Sequence, residues 1–106
     1  MNLKANMTID DGVATIRLVG ELDRNSAPRL NDLIIEAADH TVERLVLLMA
    51  ECTYMSSAGL RCLVFAHQKL PHGVEILLIG TRPEVAETIR LTGFDRSIVM
   101  QETVEG

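Results

Sequence analysis

Two short runs of almost purely apolar residues constrain the fold of this chain more than any other feature. The first is RLVLLMA, from Arg44 to Ala50, and the second is VEILLI, from Val74 to Ile79. A strand that is buried on both faces has this near-continuous pattern, which is typical of a parallel sheet covered by helices. Parallel strands need crossover connections, and each run is followed by a segment with helical spacing. The sequence therefore predicts an α/β domain.

A looser pattern precedes these runs. Leu3 to Ile9 alternates weakly, and Val13 to Val19 alternates apolar residues with small or polar ones, as half-buried strands do. The intervening Asp10-Asp11-Gly12 is a turn signal of the Asp-Gly type. We expect an antiparallel hairpin whose second strand ends at Gly20.

The first two helices are predicted between these strands. The first should run from about Ala27 to Asp39, because Asn25 or Ser26 can cap it and Pro28 fits its first turn. The second follows the Arg44 to Ala50 strand and should end near Lys69. One face of this second helix is predicted to carry Leu60, Leu63, Val64 and His67.

The rest of the chain completes the alternation. A capping box at Thr81 to Glu84 predicts the start of a third helix, and Gly93 its end. Ile98 to Met100 is expected to be a short last strand, and residues 101–106 a frayed tail. The predicted order is β-β-α-β-α-β-α-β in a single domain over residues 1–106. Right-handed crossovers then give a mixed sheet with parallel later strands and helices packed mainly on one face.

Composition and charge narrow the functional classes. The chain has 106 residues, is 47% hydrophobic and carries a formal net charge of −5. Because phosphate binding needs a basic face, the charge argues against nucleic acid. No signal peptide is visible, and no apolar run approaches the roughly 20 residues of a membrane span, so we expect a cytoplasmic protein without membrane insertion. Cys52 and Cys62 lie ten residues apart and form no CxxC motif, which predicts reduced thiols. These cysteines and the histidines have no metal-ligand spacing, so we expect no metal site.

The segment CTYMSSAGLRCL, from Cys52 to Leu63, places two serines where a strand gives way to a helix. A serine nucleophile needs a base within hydrogen-bond reach, and a nucleophile elbow needs glycine two residues earlier, where Ser57 has Met55. His67 would lie about 15 Å along the helix, at 1.5 Å per residue. The sequence therefore argues against a hydrolase, and we expect no enzymatic activity.

Helix capping explains only one of the two hydroxyls. Either Ser56 or Ser57 can accept a hydrogen bond from a free backbone amide of the first turn. The next residues, Ala58 and Gly59, are small, and glycine in a first turn is costly relative to alanine. That cost is reasonable if a partner approaches the backbone closely. We therefore expect Ser56, Ala58 and Gly59 to form a low, exposed surface.

The motifs and the element order together resemble the STAS family of anti-sigma factor antagonists. The matching segments are GELD, from Gly20 to Asp23, and TYMSSAGLRCL, from Thr53 to Leu63. The resemblance implies a domain that binds an anti-sigma factor with serine kinase activity. The kinase phosphorylates a serine at the start of the second helix, and a serine phosphatase reverses this. Family members commonly have Asp-Ser-Ser-Gly-Leu at that place.

When the family motif is aligned with this chain, the resemblance implies that Ser57 is the phosphoacceptor. Ser56 stands where the family commonly has aspartate, and becomes a second possible acceptor. Asp23 matches the aspartate of the loop after the second strand, where it either meets a partner arginine or caps the loop. The residues implied in partner binding are Asp23, Met55, Ser56, Ser57, Ala58, Gly59 and Arg61.

Two other roles fit the same resemblance. Some STAS domains are cytosolic subunits or tails of membrane transporters for lipids or anions, and dock through the same helix. A scaffold subunit of a signalling assembly is the third role. In none of these readings does the domain itself need a cofactor, since ATP and Mg²⁺ belong to the kinase.

Overall fold

Strands and helices alternate along the chain in the predicted order. The structure is a computed structural model that describes residues 3–102. Its strands are β1 (Lys4–Asp10), β2 (Val13–Leu22), β3 (Arg44–Met55), β4 (Glu75–Ile79) and β5 (Val99–Gln101). Its helices are α1 (Ala27–Ala38), α2 (Ser57–Lys69) and α3 (Pro83–Thr92), and a 3₁₀ turn, Phe94–Arg96, precedes β5.

The strands form one mixed sheet in the order β1-β2-β3-β4-β5. β1 and β2 pair as an antiparallel hairpin, and each later pair is parallel, as predicted. The carboxyl ends of β2 and β3 lie side by side, because Leu22 pairs with Met55. The loop that follows β2 is therefore next to the start of α2. The two segments that resemble the STAS family, Gly20 to Asp23 and Thr53 to Leu63, consequently lie together.

The three helices contribute to one main core on one face of the sheet, as predicted. Along β3, Leu45, Leu47 and Met49 point into this core, because alternate residues of a strand face the same way. Val46 and Leu77 belong to a second, much smaller cluster on the other face. No helix within residues 3–102 combines the length and the apolar character needed to cross a membrane.

Two strands are longer than predicted. β2 does not end at Gly20 but continues to Leu22, and β3 continues beyond Ala50 to Met55. The register between the two strands shifts twice, and Gly20, with a φ of 116°, lies at the second shift. Such β-bulges interrupt the simple alternation from which strand ends are predicted, and glycine tolerates the positive φ.

The predicted capping box of α3 is wrong. The N-cap is Arg82, not Thr81, and its side chain makes no capping hydrogen bond. Proline favours the first helical position, so Pro83 sets the start of the helix and leaves Thr81 one residue too early. The other end agrees with the prediction, since α3 stops at Gly93.

The last strand begins and ends one residue later than predicted. β5 is Val99–Gln101 rather than Ile98 to Met100, and Gln101 pairs with Ile79 of β4. Gln101 is thus part of the sheet and not of a frayed tail. The remainder of the predicted tail, residues 103–106, lies outside the described residues.

Candidate functional site

The two adjacent serines have different surroundings. Ser56 is the N-cap of α2, and its hydroxyl oxygen accepts a hydrogen bond from the backbone amide of Ala58 at 3.2 Å. The Ser56 amide donates to the carbonyl oxygen of Leu22 at 2.9 Å, which ties the start of α2 to the end of β2. Ser57 is the first residue of α2 and is exposed. Among the described residues, its hydroxyl has no hydrogen-bond partner.

Gly59 is needed for a contact inside the molecule. A Cβ atom at this position would lie 2.9 Å from the carbonyl oxygen of Leu22 and 2.8 Å from the Cγ atom of Met55. Both distances are too short for any residue larger than glycine. Met55 and Ala58 are buried as well. The predicted low, exposed surface over Ala58 and Gly59 is therefore wrong: these residues support the surface from beneath.

The small residues of α2 also account for an error in its predicted inner face. The buried residues are Ala58, Gly59, Cys62, Leu63 and Ala66. Of the four predicted residues, Leu63 is buried and Leu60 and Val64 are half-buried, so His67 is the residue that was misplaced. His67, predicted to lie on the inner face, is exposed near the other end of α2, and its ring contacts that of Phe94 edge-on at a centroid distance of 6.0 Å.

Asp23 organises the loop between β2 and α1. Its Oδ1 atom accepts hydrogen bonds from the backbone amides of Asn25 at 3.0 Å and Ser26 at 3.1 Å. The Ser26 hydroxyl donates to the carbonyl oxygen of Glu21 at 2.8 Å instead of capping α1. The hydrogen bond from the Ser26 amide is the main reason that the pKa of the Asp23 carboxyl lies below its usual range. The loop-capping alternative for Asp23 thus has a structural basis.

Two exposed side chains flank the serines. Arg61 follows Ser57 by one helical turn on the same face of α2, and makes no ion pair or hydrogen bond within residues 3–102. Tyr54, with 51% of its surface exposed, precedes the serines at the end of β3. Tyr54 is not among the residues predicted from the sequence to bind a partner. A signal was available, because it is the only tyrosine in a chain with 3% aromatic residues.

Both cysteines are free thiols buried in the core. Burial raises the pKa of the Cys52 thiol and raises that of Cys62 to about 11. The Cys62 sulfur lies 3.6 Å from the carbonyl oxygen of Ala27, where α2 packs on α1. In the part of the chain that the structure describes, no three His, Cys, Asp or Glu residues are grouped so as to hold a metal ion.

Comparison with known proteins gives sequence relatives of similar length. BtrV of Bordetella bronchiseptica is 29% identical over 93 residues, which cover 87% of this chain and 80% of BtrV. The anti-sigma-F factor antagonist RsfB of Mycobacterium tuberculosis is 24% identical over 94 residues, which cover 89% of this chain and 77% of RsfB.

Solved structures share the fold. An anti-sigma factor antagonist from Mycobacterium paratuberculosis superposes with a TM-score of 0.88, at 24% identity, over 97% of this chain and 88% of the other. The phosphorylated form of SpoIIAA from Bacillus has a TM-score of 0.74 at 19% identity, over 97% and 93% of the two chains. The STAS domain of a SulP transporter from Vibrio cholerae has a TM-score of 0.72 at 18% identity, over 93% and 80%.

A family model also matches almost the whole chain. The STAS domain model matches residues 4–106, which include the loop of Asp23 and the junction of Ser56 and Ser57. The chain therefore belongs to the STAS domain family.

Proposed function

We propose that this STAS domain is an anti-sigma factor antagonist. It docks on an anti-sigma factor that has serine kinase activity, and phosphorylation of Ser57 by that kinase switches docking off. Similarity to RsfB, an anti-sigma-F factor antagonist, supports the first part. Structural similarity to SpoIIAA, which has been solved in a phosphorylated form, is consistent with the second.

The observation that carries the proposal is the division of roles between the two serines. The Ser56 hydroxyl is engaged as the cap of α2, whereas the Ser57 hydroxyl is exposed and has no partner in the described part of the chain. A kinase can therefore modify Ser57 without breaking a hydrogen bond that holds the helix. Modification of Ser56, the second candidate, would remove the cap.

The electrostatics of the site accommodate a phosphate on Ser57. A phosphoserine carries close to two negative charges at neutral pH. The free amides and the dipole at a helix amino terminus favour such charge, and the first turn of α2 contains no acidic residue. Phosphorylation should consequently leave the fold intact and act on the partner, through steric conflict and the burial of an unpaired dianion.

The proposed docking surface combines exposed contacts with buried support. Ser56, Ser57 and Arg61 present polar atoms, and Asp23 lies in the adjacent loop. The buried Met55, Ala58 and Gly59 hold α2 against β2 and so fix the position of Ser57. In this function the domain is a substrate of a kinase and of a serine phosphatase, and its own side chains do not act as catalysts.

A transporter subunit is the second candidate. The observation in its favour is the shared fold of the SulP transporter STAS domain. The two functions differ in the partner that the unmodified chain retains, an anti-sigma factor in the first case and a membrane permease in the second. Affinity purification followed by identification of the bound protein separates them.

The phosphorylation step is tested by incubating the chain with each serine kinase anti-sigma factor of the source organism and ATP, followed by mass spectrometry. We expect one phosphate on Ser57, no incorporation into Ser57→Ala, and normal incorporation into Thr41→Ala, an exposed hydroxyl away from the site that serves as control. Phosphate found only outside Ser56 and Ser57 would refute the switch.

A further inference from the structure

A shallow groove lies beside the serines, between the end of β3 and α3. Its volume is about 150 Å³, and the residues that line it are Thr53, Tyr54, Met55, Glu84, Val85 and Thr88. Met55, Val85 and the ring of Tyr54 make most of its wall apolar. A cavity of roughly this volume can hold a benzene-sized group, so the groove has room for one side chain.

The groove continues the surface around Ser57. Three residues of extended chain span at most about 11 Å, so the α-carbons of Tyr54 and Ser57 lie no further apart than this. Met55 lines the groove and also contacts the position of Gly59 beneath the first turn of α2. A protein that covers Ser57 would therefore reach the groove as well.

The exposed residues along the groove are those from which binding sites are commonly built. Tyr54 leaves half of its surface in solvent, although a large aromatic side chain gains most by burial. Tyrosine and arginine are enriched among the residues that dominate binding energy at interfaces. Here Tyr54 and Arg61 stand on the two sides of the serines.

The surface carries charges of opposite sign on its two sides. Glu84, in the first turn of α3, is exposed at the rim of the groove and makes no ion pair among the described residues. Arg61, on the α2 side, is a cation that forms no ion pair within residues 3–102. A complementary partner would place a base opposite Glu84 and an acid opposite Arg61, which sets the orientation of docking.

We propose that the anti-sigma factor inserts one aliphatic side chain into this groove, against Tyr54, and pairs a neighbouring basic residue with Glu84. The inference rests on the proposed function and adds a second contact, beside the phosphorylation site, that determines which anti-sigma factor is bound. A different protein fits better than a second copy of this chain, because two copies with a formal net charge of −5 each repel one another.

The test measures binding of each purified anti-sigma factor of the source organism by isothermal titration calorimetry. Three variants perturb the groove: Tyr54→Ala removes the apolar wall, Thr88→Trp fills the space and Glu84→Lys reverses the charge. Ile35→Ala, at a 40% exposed apolar residue of α1, is the control. We expect each groove variant to weaken binding at least tenfold and the control to change it less than twofold, with unaltered circular dichroism for all four.

The outcomes separate this inference from the proposed function. If the unsubstituted chain binds an anti-sigma factor and the folded groove variants bind it equally well, the groove is overturned and the proposed function stands. If the unsubstituted chain binds none of the anti-sigma factors, both are overturned. A dimer in sedimentation equilibrium that Tyr54→Ala dissociates would show that a second copy occupies the groove, and would also overturn the inference.

Discussion

At the scale of single residues, the two neighbouring serines have different structural roles. Ser56 satisfies a backbone amide of α2, and Ser57 offers a free hydroxyl to solvent. Both hydroxyls, and the fact that a cap uses only one of them, were predictable from the sequence. Which serine caps the helix was not predictable, because the choice depends on where the extended backbone of β3 becomes helical, and that boundary is a matter of a single residue.

The division of roles predicts that two alanine substitutions change stability by different amounts. Ser56→Ala removes a helix cap and should lower the free energy of unfolding by about 0.5–2 kcal/mol. Ser57→Ala removes an exposed hydroxyl and should change it by less than about 0.5 kcal/mol. Urea unfolding of both variants beside the unsubstituted chain checks this. A larger loss for Ser57→Ala than for Ser56→Ala would show that the assignment of the cap is reversed.

At the scale of elements, α2 is positioned by its contact with the end of β2. The glycine of the SSAGL segment fits against the carbonyl oxygen of Leu22, while the Ser56 amide donates to that same oxygen. The recognised motif therefore has a packing role in addition to the regulatory role that we propose for it. Sequence reasoning detected the unusual glycine but attributed it to an approaching partner, since the chain pattern does not reveal which distant strand lies beneath a helix.

This contact predicts that Gly59→Ala destabilises the fold, although alanine is the better helix former. The added methyl would overlap backbone and side-chain atoms, and overpacking of this kind costs roughly 1–3 kcal/mol. Urea unfolding measures the loss, with Gln68→Ala, at an exposed position of α2, as the control expected to change little. An unfolding free energy for Gly59→Ala at or above that of the unsubstituted chain would mean that the close contact does not exist.

Other features of the elements were predictable to different degrees. The two apolar runs, the hairpin turn and Gly93 led to the correct order of strands and helices, because each is a strong local signal. The extensions of β2 and β3 were missed, since β-bulges hide the alternation that marks a strand. These extensions matter for the site, because the end of β3 carries Tyr54 and forms one wall of the groove.

At the scale of the whole molecule, the sheet brings separate parts of the sequence to one surface. Parallel pairing of β2 and β3 sets the loop of Asp23 beside the start of α2, and α3 adds Glu84 from the other side of β3. The groove could not be foreseen from sequence because it lies between elements far apart in the chain. The resulting surface has the exposed hydroxyl of Ser57 at its centre and charged side chains of opposite sign, Glu84 and Arg61, at its flanks.

The most direct test of the account compares binding and stability after phosphorylation of Ser57. The chain phosphorylated at Ser57, and Ser57→Asp as a substitute, are titrated calorimetrically against the anti-sigma factor that binds the unmodified chain. Their thermal unfolding is measured in parallel. We predict that phosphorylation weakens binding at least tenfold, equivalent to about 1.4 kcal/mol or more, without lowering the melting temperature. Equal affinities of the phosphorylated and unmodified chains, or a loss of binding that coincides with unfolding, would contradict the proposed switch.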